Sequence, residues 1–249
     1  MINIRSGLEV DSGMIIDREI MHNRIAIIVV VTFPYIFISF SEVLKAYSLN
    51  SYIVLFSEDG VIEYLQATLL AISSLTACLI GSRFKLTEHR YLAWTYFLGA
   101  LLLFFFCMEE ISWGQRIFGF ETTEYFTQYN HQNEINLHNH DFFQNQDNTN
   151  TWFTMFLGFG IIYCGSAWFL VPRLFEKKIG HIIHYVVPNC YLASYFLFSL
   201  FWQLYPACRQ LTEPYLNQGQ EVSEFLMFVG ILLFIAFGFI RQSVKRHAP

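Results

Sequence analysis

Hydrophobic residues in this chain are grouped into six long runs that are separated by more polar segments. The runs are Ile25 to Phe40, Val61 to Ile80, Tyr91 to Met108, Trp152 to Val171, Ile182 to Tyr205 and Val222 to Ile240, the first extended a few residues at either end. A helix needs about 20 mostly apolar residues to cross a membrane. None of the runs shows the polar and apolar alternation of barrel strands. The pattern therefore predicts an all-α, polytopic membrane helix bundle with six transmembrane helices.

The composition agrees with this fold class. Of 249 residues, 54% are hydrophobic, 18% are aromatic and only 14% are charged, whereas soluble domains carry about 25% charged residues. We expect one transmembrane domain over residues 25–241, a cytoplasmic amino-terminal segment over 1–24 and a cytoplasmic tail over 242–249. A long outer loop, residues 111–151, joins the third and fourth runs.

The basic residues predict the orientation. Twelve of the fifteen Lys and Arg residues lie in the amino-terminal segment, in the loops after the second and fourth runs, and in the carboxyl tail. Only Lys45, Arg116 and Arg209 fall on the other side. Because basic residues accumulate on the cytoplasmic side, both termini are predicted to be cytoplasmic, in the cell inner membrane. This distribution leaves no additional basic patch, so no nucleic-acid partner is expected.

Acidic residues mark the opposite ends of three runs. Glu221 and Glu224 precede or begin the sixth run, where the helix dipole favours negative charge. Glu63 lies one turn deeper in the second run, and a structural and a functional interpretation of it both stay open. Glu109 and Glu110 instead follow the third run, where the dipole opposes it. A salt bridge to Arg116 is the structural interpretation of this pair. The functional interpretation is a site for a cation, a proton or a polar substrate, since ionisable groups at membrane depth are candidates for function.

The outer loop is rich in Asn, Gln and His. Asn130, Glu134 and His138 are spaced by four, so on a helix they would project to one side. Imidazole and carboxylate groups together suit zinc or a similar divalent ion. The alternative interpretation is a solvated connector of biased composition.

Two boxes in this region resemble sequences in a group of bacterial multi-pass membrane proteins that have no assigned activity. The boxes read EEISWGQR, from Glu109 to Arg116, and NEINLHN, from Asn133 to Asn139. The acidic opening Glu58-Asp59-Gly60 with Glu63 belongs to the same pattern. The resemblance implies a shared site on the outer face of a bacterial inner membrane, and no particular reaction.

Two characterised classes show weaker similarity. CAAX-type intramembrane proteases carry a Glu-Glu pair followed by an Arg at shorter spacing, and Gly114 stands in that place here. Ceramidase-like membrane hydrolases bind zinc through a closing H-x-x-x-H in a late helix, where this chain has Glu221 and Glu224.

The first functional hypothesis is a membrane-embedded, metal-dependent hydrolase or transferase that acts on a lipid or lipid-linked substrate. Glu110 or Glu134 would be the general base towards water, and His138 a ligand or an acid. Arg116 would hold an anionic group of the substrate. The candidate ligands of a divalent metal such as zinc are Glu63, Glu109, Glu110 and His138.

Two alternatives come from other classes of protein. The acidic residues could form the vestibule of a cation channel or transporter. The chain could also be a non-catalytic membrane subunit that binds a protein partner through its outer loop. Membrane lipids are expected partners in every case.

Overall fold

The fold is described from a computed structural model, for residues 24–57, 60–84, 89–130, 132–137, 139–144, 154–164, 185–186, 188–209 and 216–247. The longer helices are α1 (Arg24–Tyr47), α2 (Leu49–Phe56), α3 (Val61–Arg83), α4 (Arg90–Glu110), α8 (Thr154–Cys164), α9 (Ala193–Arg209) and α10 (Leu216–His247). Three short helices lie in the outer loop: α5 (Gln115–Phe118), α6 (Glu124–Tyr129) and α7 (Asp141–Gln144). Over these ranges the fold is all-helical, apart from a single β-bridge between Asn130 and His140.

Four helical stretches of the described chain are long and apolar enough to cross a membrane. They are α1, the stretch that contains α3, α4 and most of α10. They match the first, second, third and sixth hydrophobic runs, and α1 extends the first run to Tyr47. The fourth run is described as a helix only over Thr154–Cys164, and much of it lies outside the described residues.

In the fifth run the sequence predicts a helix that is kinked around Pro188, and the described residues show a break there. Asn189, directly after Pro188, has an extended backbone, and regular helix begins only at Ala193 after a short 3₁₀ turn. Proline disfavours a helical conformation in the residue before it and lacks an N–H for the helical ladder. The apolar helix that follows, Cys190–Trp202, is shorter than a usual membrane span.

Helices α3 and α4 form the most extensive contact of the bundle, and α10 packs against α3 and α9. Close approach of α3 and α4 depends on small residues, since a Cβ on Gly81 would lie 3.2 Å from the Ala93 carbonyl oxygen. The Ser74 hydroxyl donates a hydrogen bond to the Ala100 carbonyl at 2.7 Å. Small side chains and interhelical hydrogen bonds are the usual means of helix association in membranes.

The two ends of this bundle differ in charge. Helices α3 and α10 run parallel, because Gln66 contacts Glu221 near their first turns and Arg83 contacts Ser243 near their last turns. Helix α4 runs the other way and ends in Glu109 and Glu110. Acidic side chains of three helices therefore gather at one end of the bundle. Arginines of α3 and α10 lie at the opposite end.

Candidate functional site

Glu109 and Glu110 end α4 side by side in sequence, yet they take part in different structures. Successive residues of a helix are rotated by about 100° around its axis. Glu109 contacts the outer loop, whereas Glu110 interacts with residues at the beginnings of α3 and α10. We call these two structures the loop network and the carboxylate cluster.

The Glu109 carboxylate connects α4 to the second box. Its Oε1 accepts a hydrogen bond from the Trp113 indole at 2.6 Å, and its Oε2 accepts one from the Leu137 backbone N–H at 2.6 Å. The side chain is buried, with 4% of its surface exposed. Each oxygen thus holds a different part of the loop against the end of the helix.

The chain leaves α4 through a left-handed turn. Ser112, Trp113 and Gly114 have φ values of 46°, 55° and 81°. Only glycine adopts such values without strain, and other residues pay about 1–2 kcal/mol each. The turn folds the Trp113 ring back onto Phe105 of α4 at 5.7 Å and brings its indole to Glu109. Strained backbone of this kind persists where surrounding contacts hold it in place.

Glu134 lies at the centre of the loop network. One of its oxygens forms an ion pair with the Arg116 guanidinium. The other accepts hydrogen bonds from the Ser112 hydroxyl and from Asn136 Nδ2, the latter at 2.9 Å. Asn136 Nδ2 also contacts Ser112 Oγ at 3.0 Å. Because Glu134 is only 4% exposed, these contacts offset the cost of burying its charge.

The described residues of the second box form a bent loop rather than a helix, and His138 lies outside them. Asn130 Oδ1 accepts from the backbone N–H of Glu134 at 3.2 Å, and Asn130 Nδ2 donates to Asn136. The Ile135 N–H donates to Gln115 Oε1 at 2.8 Å. Asn and Asp side chains favour such turns because they bond the backbone a few residues on.

The carboxylate cluster has a different composition. Glu110 interacts electrostatically with Glu63 of α3 and with Glu221 and Glu224 of α10, and every one of these interactions is repulsive. In the described part of the chain the Glu110 carboxylate receives no hydrogen bond. Hydrogen-bond donors and Arg116 thus compensate the carboxylates of the loop network. The Glu110 carboxylate instead lies near other carboxylates that repel it.

Gln66 extends the carboxylate cluster one turn deeper along α3. Its Nε2 donates to the Glu221 carboxylate at 3.1 Å and to the Glu221 carbonyl at 3.0 Å. The side chain is fully buried, and its Oε1 has no hydrogen-bond partner among the described residues. Buried acceptors are normally satisfied by protein or by ordered water, so this atom is a site for a donor or a cation.

The predicted site residues thus separate into two groups. Glu109, Glu134 and Arg116 belong to the loop network, and Glu63 and Glu110 belong to the carboxylate cluster. His138, Glu58 and Asp59 lie outside the described residues, so their predicted roles stay predictions.

The metal prediction includes His138, which lies outside the described residues. No group of three or more His, Cys, Asp or Glu side chains in the described ranges is arranged to hold a metal ion. Each oxygen of Glu109 accepts a hydrogen bond from the loop, from the Trp113 indole or the Leu137 N–H. The metal site formed by Glu63, Glu109, Glu110 and His138 stays a prediction.

Sequence reasoning did not predict that Ser112, Gln115, Asn130 and Asn136 hold the loop through hydrogen bonds. Three of these four residues lie within the two boxes, so the boxes were the sequence feature that could have identified them. Gln66 was missed as well. A lone Gln among apolar residues of a membrane helix is the signal that would have identified it.

Comparison with known proteins identifies no relative: no family model, no curated protein and no solved structure matches this chain.

Proposed function

We propose that the chain is a multi-pass protein of the cell inner membrane, with six transmembrane helices and both termini in the cytoplasm. The four long apolar helices and the charge difference between the two bundle ends support this placement. Cysteines introduced near each terminus should resist a membrane-impermeant maleimide in intact cells, whereas Glu121→Cys in the outer loop should react. Labelling of either terminus from outside would contradict the orientation.

The proposed activity is hydrolysis or group transfer on a lipid or lipid-linked substrate, with the carboxylate cluster as the reactive site. The environment of the Glu110 carboxylate carries this proposal. Three carboxylates from two other helices repel it, and no described residue donates a hydrogen bond to it. Evolution rarely keeps such an arrangement for stability alone, because like charges in a poorly solvated place raise the free energy of the fold. At the end of a membrane span the cluster lies at headgroup depth.

Carboxyl groups that share a site can divide acid and base roles between them. One holds a proton while its neighbour stays ionised, as in other pairs of catalytic carboxylates. Glu110 would accept a proton from the attacking water or hydroxyl group, and a protonated neighbour such as Glu224 would return one to the leaving group. Glu134 and Arg116 compensate each other within the loop network, so we assign them to positioning the loop rather than to catalysis.

The roles assigned here are those of the chain's own carboxyl groups, and a divalent metal held by Glu63, Glu110 and His138 remains part of the prediction. His138 keeps its predicted role as an acid or a ligand.

Untargeted lipid mass spectrometry tests the activity. The purified protein is incubated with total membrane lipid in detergent micelles, and lipids that are consumed are compared with those consumed by Glu110→Gln. We expect at least one lipid class to be converted by the wild-type protein and not by the variant. Glu121→Gln, at an exposed acid of the outer loop, is the matched control and should convert lipid normally. Equal conversion by Glu110→Gln, or no conversion by the wild type, would contradict the proposal.

Cation passage is the second candidate, and Gln66 favours it. Its buried Oε1 accepts no hydrogen bond from the described residues, and its Nε2 contacts Glu221, so a polar side chain lies beside the carboxylate cluster inside the bundle. Oxygen atoms from several helices are the usual lining of a cation path. Ion flux into vesicles that is lost in Glu63→Gln and Gln66→Leu would establish this function over the enzymatic one.

A further inference from the structure

A strip of aromatic side chains continues from the outer surface of α4 onto the outer loop. On α4, the Phe105 and Phe106 rings contact edge to face at 5.9 Å, and Phe105 contacts Trp113 in the same way at 5.7 Å. The ring of Phe118 packs over Gly114, where a Cβ would lie 3.0 Å from it. The rings of α4 therefore contact Trp113, and the Phe118 ring lies against Gly114, the residue directly after Trp113.

Most of this strip is uncovered by protein. Phe118 is 79% exposed, Ile117 57% and Trp113 39%. Large apolar side chains exposed together are unfavourable in water and mark a surface that contacts something else.

Helix α5 has a polar side as well. Gln115 contacts Thr122 and the Ile135 backbone, and Arg116 pairs with Glu134. The polar residues of α5 are thus used by the loop network, which leaves Ile117 and Phe118 as its outward side. The loop network fixes which side of α5 faces away from the protein.

We propose that Trp113 and α5 lie in the outer headgroup region of the bilayer and that Ile117 and Phe118 insert at its boundary with the acyl chains. Aromatic residues, Trp above all, are enriched at this depth because their rings are apolar and their edges polar. The choice of lipid as the occupant rests on continuity, since the strip joins the exposed apolar surface of α4. It also rests on the membrane placement proposed above, though not on the proposed activity.

Photo-crosslinking tests the position of α5. The protein carries p-benzoylphenylalanine at Phe118 or, separately, at Ile117, in vesicles of phosphatidylethanolamine and phosphatidylglycerol, and adducts are identified by mass spectrometry. Two further positions are controls: Leu101, an exposed residue within α4, and Glu124, an exposed acid at the start of α6. Ile117 serves as the second probe because the Phe118 ring also packs on Gly114.

We expect lipid adducts at Phe118, Ile117 and Leu101. Their yield should exceed that at Glu124 by about tenfold, because lipid is strongly preferred over water by apolar side chains. Lipid adducts at Leu101 but not at Ile117 or Phe118 would overturn the inference. Adducts between two copies of the chain at Phe118 would overturn it too, in favour of a protein interface. Absence of lipid adducts at Leu101 as well would instead show that the proposed membrane placement has failed.

Discussion

The loop network and the carboxylate cluster begin at neighbouring residues of α4 and differ in whether their carboxylate charges are compensated by hydrogen-bond donors and a cation. In the loop network, Glu109 accepts hydrogen bonds from an indole and a backbone N–H. Glu134 accepts hydrogen bonds from a hydroxyl and an amide, and it pairs with a guanidinium. In the carboxylate cluster, the charged groups that act on Glu110 among the described residues are other carboxylates, and they repel it. The chemistry of the two side chains is the same, so the difference comes from the surroundings.

Under the proposed function, this difference separates a structural use of acidic residues from a catalytic one. A buried carboxylate with a full set of donors stabilises the fold and is poorly placed to exchange a proton or bind a ligand. A carboxylate without donors adds nothing to stability and keeps its capacity to react. We therefore predict that Glu→Gln lowers the free energy of unfolding in the loop network. At Glu110 the same substitution should leave it level or raise it.

The largest effect is expected for Glu134→Gln. Removing this charge breaks the ion pair with the partly exposed Arg116 and weakens the hydrogen bonds that Ser112 and Asn136 donate to a buried carboxylate, which together costs about 3 kcal/mol. The free energy of unfolding in detergent should fall by that amount, and the outer loop should become sensitive to trypsin at Arg116. Glu121→Gln should change the free energy by less than about 0.5 kcal/mol. A Glu134→Gln protein as stable as the control would remove the structural role assigned to the loop network.

A smaller loss is expected for Glu109→Gln. The amide keeps one acceptor but must turn an NH₂ group towards either the Trp113 indole or the Leu137 N–H. Loss of one hydrogen bond to a charged group costs about 1.5–3 kcal/mol. Thermal unfolding followed by Trp fluorescence measures this effect, and it would also report release of the Trp113 ring. No change in either signal would mean that Glu109 does not hold the loop.

The left-handed turn gives a matched pair of glycine substitutions. Gly114→Ala and Gly119→Ala both place a Cβ at positive φ, which costs about 1 kcal/mol or more. Only the Cβ at residue 114 also meets a neighbour, the Phe118 ring at 3.0 Å, whereas that at residue 119 meets nothing within 4 Å. Chemical denaturation should therefore rank Gly114→Ala as the less stable variant. The reverse order would argue against packing of Phe118 over the turn.

The smallest effect on stability, with the opposite sign, is expected for Glu110→Gln. Neutralising this residue removes repulsion from Glu63, Glu221 and Glu224, so the free energy of unfolding should stay level or rise by up to about 1 kcal/mol. The same thermal melt used for Glu109→Gln measures it. A loss as large as that of Glu109→Gln would show that Glu110 has stabilising partners and would end the distinction between the two regions.

The all-helical class and four of the predicted spans are confirmed over the described residues, because long apolar runs leave few choices. A continuous run such as Tyr91 to Met108 satisfies its backbone polar groups in a membrane only as a helix, and α4 follows it closely. In the fifth run Pro188 indicated a kink, but hydropathy does not show where regular helix resumes. Composition identified the run, and local backbone chemistry decided where its helix begins.

The candidate site was predictable as a set of residues but not as an arrangement. The boxes pointed to Glu109, Glu110 and Glu134, which were expected to meet in one place. The rotation between adjacent helical residues separates Glu109 from Glu110, and the turn through Trp113 is set by contacts with a segment more than twenty residues away. Long-range hydrogen bonds of this kind leave no periodic signal in the sequence.

The adjacency of Glu109 and Glu110 has a mechanical consequence. A single peptide unit joins the two residues, so the last turn of α4 belongs to the carboxylate cluster and to the loop network at once. A ligand that shifted Glu110 would therefore strain the hydrogen bond between Glu109 and the Leu137 N–H. Exchange of the Leu137 amide hydrogen would report on such a shift.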